Sequence, residues 1–247
     1  MNNVFHIGAT GLRAQQSAVD AVANNVANVN TPAYKRNAVA FAEMVGSAAA
    51  GADGMGVTVA ASPKVLEQGD LRKTDGAFDL AVRGAGFIEL MAPGGQTLLW
   101  RGGTLRVNAD GLLASAGGMA LKAGVSVPRE TTALSIAPGG QVLATVAGQK
   151  EPQPIGQIDL VAVADARALT ALGDGLYRLD DPLAETARGA PGDGGVGLLA
   201  QGHLEASNVR MADEMVGMLM MQRAYAANAR MLQVADEMMA TINQLRR

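Results

Sequence analysis

The chain has 247 residues, of which 49% are hydrophobic, 17% charged and only 3% aromatic, a globular composition long enough to bury a core. Its formal net charge is −3 and its 20 Lys and Arg are scattered rather than gathered into a stripe, which argues against a nucleic-acid surface or a polybasic membrane anchor. With no cysteine, it has no disulfides, thiolate metal sites or Cys nucleophiles.

The opening residues, Met1 to Gln16, lack a basic segment followed by an apolar one and do not read as a cleaved secretory signal. From about Asn3 to Asn28 the spacing predicts a helix. Leu12, Val19, Val22, Val26 and Val29 fall on one stripe at intervals of seven, three, four and three, and Gly11, Ala14, Ala18 and Ala21 form a second stripe small enough for another helix to approach. Asn24, Asn25 and Asn28 interrupt this apolar helix. Asn24 is expected to face solvent, whereas amides at Asn25 and Asn28 that bond to neighbouring backbone or a partner chain would fix register. Thr31-Pro32 then stops the helix, because proline disfavours helical backbone in the residue before it and has no N–H to donate. The chain leaves through Tyr34 and Lys35.

Residues 36–63 read as an extended connector, with the Ala, Gly and Ser-rich stretch from Gly46 to Gly56 as its flexible part. From about Val57 to Gln201 short β-type runs alternate with turns, and residues 64–200 are expected to form a mainly antiparallel β domain. Ala109-Asp110-Gly111 and Pro138-Gly139-Gly140 mark two hairpins, each supplying positions that tolerate positive φ. Asp165 to Leu172 reads equally as a short helix or a loop between strands.

A second long helix opens at Ser207 or Asn208, with Asp213 and Glu214 near its positive end and Arg246 and Arg247 at its negative end. Met221, Ala224, Asn228, Met231, Ala235, Met238, Ile242 and Leu245 alternate at intervals of three and four. Most of the 13 methionines crowd this helix, which is apolar on more than one face. That favours self-association over an intramolecular core alone. Its densest apolar run, Met215 to Met221, is far short of the ~18 to 20 residues a bilayer span requires. The fold expected is α+β: coiled-coil-like terminal helices (residues 1–35 and 201–247) that pair with one another, flanking the β domain.

No catalytic, cofactor-binding or metal-binding set emerges. Gly192 to Gly197 satisfies G-x-G-x-x-G but follows Ala190-Pro191 and opens no helix, so it reads as a turn. Gly84 to Phe87 lacks the third glycine and reads as a close-packed β segment. His6 and His203 stand near opposite ends without partners at suggestive spacing, and packing or hydrogen bonding at a helix edge suffices for them. Asp79, Asp180, Asp181 and Asp193 are expected in turns.

Residues Gly11 to Arg36 resemble the N-terminal signature of the flagellar axial proteins, the rod and hook class, which reads as a helix ending in A-N-N-x-A-N-x-x-T-x-G-[FY]-K. Leu199 to Leu245 resembles the C-terminal signature, with Gln201-Gly202, Leu204-Glu205, Ser207-Asn208-Val209 and Gln222-Arg223-Ala224-Tyr225 in register. The runs Asp79 to Leu90, Arg106 to Leu113 and Gly189 to Gly202 extend the likeness over nearly the whole chain. The resemblance implies a non-enzymatic subunit, with no cofactor, polymerised into a helical tube of the basal body. It would be exported through the type III apparatus without a cleaved signal, into a rod that spans the periplasm, transmits torque and forms the export channel. Implied partners are copies of itself, other rod and hook proteins, the export apparatus and the surrounding ring bushing, with neither nucleic acid nor membrane insertion.

Gln222-Arg223-Ala224-Tyr225 and the Pro-Gly-rich Gly189 to Gly195 resemble the distal part of the rod. The short connector after Phe41, and Leu99-Trp100-Arg101 where Y-T-R is usual, keep a proximal rod protein or divergent rod paralogue as the alternative. A β-domain enzyme or carbohydrate-binding module with oligomerisation helices is the remote one. The residues expected to pack in the axial interface are Leu12, Val19, Val22, Asn25, Val26, Asn28, Met221, Ala224, Tyr225, Asn228, Met231, Ala235, Met238, Ile242 and Leu245, with Thr31, Pro32 and Tyr34 at the junction.

Overall fold

The computed structural model describes residues 2–45, 54–60, 63–149, 151–165, 168–180 and 186–245. The chain divides into two compact units: a helical unit of Met1–Val29, Asn37–Pro63 and Val209–Arg247, and a β unit of Asn30–Arg36 and Lys64–Asn208.

The helical unit holds α1 (Asn2–Ala27), β1 (Phe41–Val45), β2 (Gly54–Val59) and α2 (Met211–Leu245). At ~1.5 Å per residue α1 is roughly 40 Å long and α2 roughly 50 Å. No described helix is long and apolar enough to cross a membrane. Neither helix ends quite where the sequence suggests. α1 stops at Ala27, ahead of Pro32, where the Asn28 amide side chain donates to the Asn24 carbonyl at 2.9 Å. α2 starts three residues beyond Asn208, and its first intrahelical bond runs from Glu214 N to the Arg210 carbonyl.

The stretch read as a connector contains paired strands. β1 and β2 run antiparallel, with Phe41 opposite Val59 and Glu43 opposite Val57. Val57 and Val59 are half-buried and Thr58 is exposed, the alternation of a one-sided strand. β2 lies against α1 closely enough that a Cβ on Gly56 would come within 2.1 Å of Thr10 Oγ1. The Gly-Ala-Ser run from 46 to 53 lies outside the described residues.

The β unit contains β3 (Leu71–Lys73), β4 (Asp79–Arg83), β5 (Phe87–Met91), β6 (Thr97–Trp100), β7 (Gly102–Val107), β8 (Leu113–Ser115), β9 (Ala120–Leu121), β10 (Thr131–Ile136), β11 (Gln141–Val146), β12 (Gln153–Gln157), β13 (Leu160–Val163), β14 (Leu169–Gly173), β15 (Leu176–Leu179), β16 (Thr186–Gly189), β17 (Leu198–Gln201) and β18 (His203–Glu205). All the pairings are antiparallel, in a large sheet ordered β14-β15-β6-β5-β9-β8-β7-β4-β17, a three-stranded β10-β11-β12 sheet and the β18-β3 pair.

Both predicted hairpins form: Val107 pairs with Leu113 around Asp110-Gly111, and Ile136 with Val142 around Gly139-Gly140. Asn108 Oδ1 accepts from the amides of Asp110 and Leu112, so the first turn is closed by its own side chain. Within the segment from Asp165 to Leu172, β14 takes up Leu169 onward, paired with β15, while Asp165 is in a loop and Ala168 in a 3₁₀ turn ahead of it. Asp79 starts a strand instead of sitting in a turn, and accepts from the Thr74 and Thr104 hydroxyls at 2.6 and 2.7 Å. His203 is likewise on a strand, its ring Nδ1 2.8 Å from the Gln201 carbonyl. Leu80, Val82, Ile88, Leu90, Trp100 and Leu113 centre the main core, and Phe87, Leu99, Val161, Leu169 and Tyr177 form a second cluster.

Candidate assembly surface

Within the helical unit α1 and α2 run antiparallel side by side. A Cβ on Gly8 would meet Leu232 Cδ2 at 2.6 Å, a Cβ on Gly11 would meet Asn228 Nδ2 at 3.0 Å, and Asn25 reaches Glu214. These three pairings share one antiparallel register. The buried line of α1 is Gly11, Ala14, Ala18, Val22 and Asn25, so the small-residue stripe makes the close approach. Leu12, Val19 and Val26, on the stripe expected to be the seam, are half-buried.

Asn25 holds this register in a polar pocket. Its Nδ2 donates to Glu214 Oε2 at 3.2 Å and to the Asn37 carbonyl at 3.1 Å, and its Oδ1 accepts from Asn37 N at 2.8 Å. One amide thus ties α1, the first turn of α2 and the chain leading into β1. Asn25 is 1% exposed and Glu214 is 5% exposed, whereas Asn24 is exposed and Asn28 half-buried at the helix end. Sequence reasoning gave Glu214 only a role near the helix dipole and missed it as the amide's partner.

The residues predicted along α2 divide between two faces. Ala235 is buried and Met221 and Asn228 are half-buried, on a line with Glu214, Met218, Leu232 and Met239. Ala224, Tyr225, Met231, Met238, Ile242 and Leu245 are exposed. The line facing α1 passes through position 232 and the predicted one through 231, and both neighbours are apolar, so periodicity alone selects neither. A second stripe stays uncovered in the single chain: Val216, Met220, Ala224, Ala227, Met231, Val234, Met238 and Leu245, at intervals of three, four or seven. It is centred ~110° around the helix from the line facing α1. Met220 is 67% exposed, Met231 61% and Leu245 82%. A continuous apolar stripe of this length is the mark of an association surface.

The predicted junction residues fall in the β unit. Ala33 N donates to the Glu205 carbonyl at 2.8 Å, Tyr34 N to the Thr31 carbonyl at 3.3 Å, and Lys64 Nζ stands 4.9 Å from the Tyr34 ring centre. Ala33 has φ 56°, the left-handed region, at the position where the axial signature carries glycine. Pro32 and Thr31 line a pocket of about 250 Å³ with Trp100 and Met119.

Beneath them lies a buried charge cluster that the sequence did not reveal. Lys35 Nζ contacts Glu205 Oε1 at 2.6 Å, and Arg101 Nε contacts Glu205 Oε2 at 2.8 Å. Desolvation lowers the Lys35 pKa despite the opposing attraction of Glu205. The same burial, with the Glu205 charge adding to it, raises that of Tyr177.

Three family models match the chain: one described as flagella basal body rod protein over residues 5–35, the flagellar hook protein FlgE/F/G D1 domain over 81–144, and the flagellar basal body rod FlgEFG protein C-terminal region over 200–245. The chain is 32% identical to the flagellar basal-body rod protein FlgG of Buchnera aphidicola subsp. Schizaphis graminum, with 97% of this chain and 98% of that protein aligned. It is also 32% identical to the FlgG of Caulobacter vibrioides, over 96% and 97% of the two chains. The FlgF of Caulobacter vibrioides is 29% identical over 96% and 95%. The models fall on α1 and the junction, on the centre of the β unit and on β17 through α2. The chain belongs to the flagellar basal-body rod protein family and is a structural subunit of the rod.

Proposed function

We propose that the chain acts by assembly, without catalysis, as a subunit of the distal rod, polymerising into a helical tube through its helical unit. The observation that carries this reading is the uncovered apolar stripe of α2 on a helix whose other apolar line already faces α1. Each large side chain covered there contributes about 1 to 2 kcal/mol, which offsets the cost of ordering the terminal segments on incorporation. In the tube the helices form coiled-coil contacts between copies, with Leu12, Val19 and Val26 adding a second half-covered seam. The helical units line the export channel, and the tube transmits torque across the periplasm.

The subunit reaches this place through the type III export apparatus with its terminal segments loosely ordered, and joins copies of itself and other rod and hook proteins inside the ring bushing. The distal position is supported by full-length likeness to several FlgG proteins; the likeness to FlgF supports a proximal position as the second reading. Electron microscopy of basal bodies carrying a labelled β unit tests both. Density along the distal rod is expected, density confined to the proximal end favours the second reading, and absence from the rod contradicts both.

A further inference from the structure

The backbone passes between the two units after Val29, after Arg36, before Lys64 and after Asn208. Three of these crossings meet at one side chain in the β unit. Asn208 Oδ1 accepts from Arg36 N at 2.8 Å, and its Nδ2 donates to the carbonyls of Val65 and Glu67 at 2.8 and 3.0 Å. Its own backbone N–H donates to the Tyr34 carbonyl at 3.3 Å, and Val65 N donates to the Arg36 carbonyl at 3.0 Å.

The clamp sits on the buried charge cluster. Glu205 Oε1 accepts from Lys35 Nζ and, at 2.9 Å, from Gly69 N, while Lys35 also donates to the Glu67 carbonyl at 2.6 Å. Arg101 holds the other carboxylate oxygen and donates to the Gly84 and Gly86 carbonyls. The segments lie so close that a Cβ on Gly69 would come within 2.0 Å of the Ala206 carbonyl oxygen. The bonds of this set join residues 33–36, 64–70 and 205–208 to one another, and Arg101 ties Glu205 to the Gly84 and Gly86 backbone.

We propose that Asn208, braced by Lys35, Glu205 and Arg101, is a clamp that binds the three crossing segments into one cooperative element of the β unit, so that they open together or not at all. A single amide saturated by one donor segment and two acceptor carbonyls is suited to this, because losing it leaves polar groups on two other segments unpaired at once. Asn208 is therefore a positioning residue. That the clamp spreads torque over three strands instead of one rests on the rod reading; the clamp itself does not.

Amide hydrogen exchange on the free full-length chain tests it. Asn208→Ala is expected to speed exchange at Ala33, Arg36, Val65 and Ala206 together by at least about tenfold, the equivalent of ~1.4 kcal/mol, while Ala81 and Val82 in β4 keep their protection. Asn208→Asp keeps the acceptor for Arg36 N and loses both donors; because the segments open together, Arg36, Val65 and Ala206 are all expected to exchange faster there by a common factor. If Asn208→Ala unfolds the unit, the aspartate variant carries the comparison. A rise at Arg36 alone in the alanine variant, or wild-type exchange at Val65 and Ala206 in the aspartate one, overturns the clamp. The experiment uses free chain, so its failure leaves the rod reading standing, and a failure of rod assembly leaves the clamp standing.

Discussion

Asn25 Nδ2 donates to Glu214 Oε2 at 3.2 Å, joining residues 189 positions apart across the two helices of the helical unit. Removing the amide takes one hydrogen bond from a buried carboxylate, and a hydrogen bond to a charged group is worth about 1.5 to 3 kcal/mol. Asn25→Ala is expected to lower stability by that amount in urea unfolding of the helical unit. Asn25→Asp is expected to cost more, through charge repulsion, and Glu214→Gln to restore at least about 1 kcal/mol of that loss in a double-mutant cycle. Additive effects of the two substitutions would show that the pair is not coupled.

Ala33 holds a left-handed backbone while buried. That conformation costs a non-glycine residue roughly 1 to 2 kcal/mol. In Ala33→Gly the relief of strain is offset by the lost methyl group and the added freedom of the unfolded chain. The expected change is within about 0.5 kcal/mol of zero. Ala33→Val, β-branched at positive φ, is expected to cost at least about 2 kcal/mol. Thermal unfolding of the two variants checks this, and equal effects would contradict the strain argument.

Met231 and Val22 were both expected in an interface, and the structure separates them. Met231 is on the uncovered stripe and Val22 is buried against α1's neighbours within the helical unit. Met231→Asp is expected to leave the isolated chain within about 0.5 kcal/mol of wild type while preventing incorporation into rods, because an unpaired carboxylate cannot be buried. Val22→Asp is expected to unfold the helical unit and leave the β unit folded. Circular dichroism of each chain and rod yield from a complemented strain distinguish them; intact rods from Met231→Asp would count against the proposed surface.

Tyr177 is buried, its hydroxyl 3.5 Å from the Ala33 carbonyl, and its pKa is raised above the usual 10 first by desolvation and then by Glu205. A phenol with a raised folded pKa contributes stability that is complete below pH 10 and is lost as pH climbs toward the folded value. Lys35, lowered by burial, acts in the opposite sense: between its folded value and 10.5, the folded protein holds fewer protons and gains stability with rising pH. Alkaline titration of tyrosinate absorbance is expected to show a phase above pH 10 that coincides with unfolding and disappears in Tyr177→Phe. Ionisation of Tyr177 near pH 10 in the folded chain would contradict its burial.

The hairpins at Gly111 and Gly140 and the helices at the two ends were legible because turn chemistry and helical spacing are local. The break before Thr31-Pro32 was legible, but α1 already ends at Ala27, where Asn28 bonds back to Asn24. The choice of seam on α2 was illegible because Met231 and Leu232, like Met238 and Met239, are apolar neighbours, and only the close approach of Gly8 and Gly11 selects the line through 232. Lys35 and Glu205 stand 170 positions apart, so their ion pair left no trace in spacing. β1, and its pairing with the β-type run at Val57, escaped notice for a similar reason: the pairing spans a stretch whose composition reads as linker.

The central claim is that the α2 stripe exposed in the single chain becomes buried against another copy. Because the chain has no cysteine, Met231→Cys introduces a single thiol on that stripe. Maleimide labelling of this thiol is expected to be fast in the free chain and slower by at least about a hundredfold in isolated rods, the equivalent of ~2.7 kcal/mol of protection. Labelling at the same rate in rods as in the free chain would contradict the account.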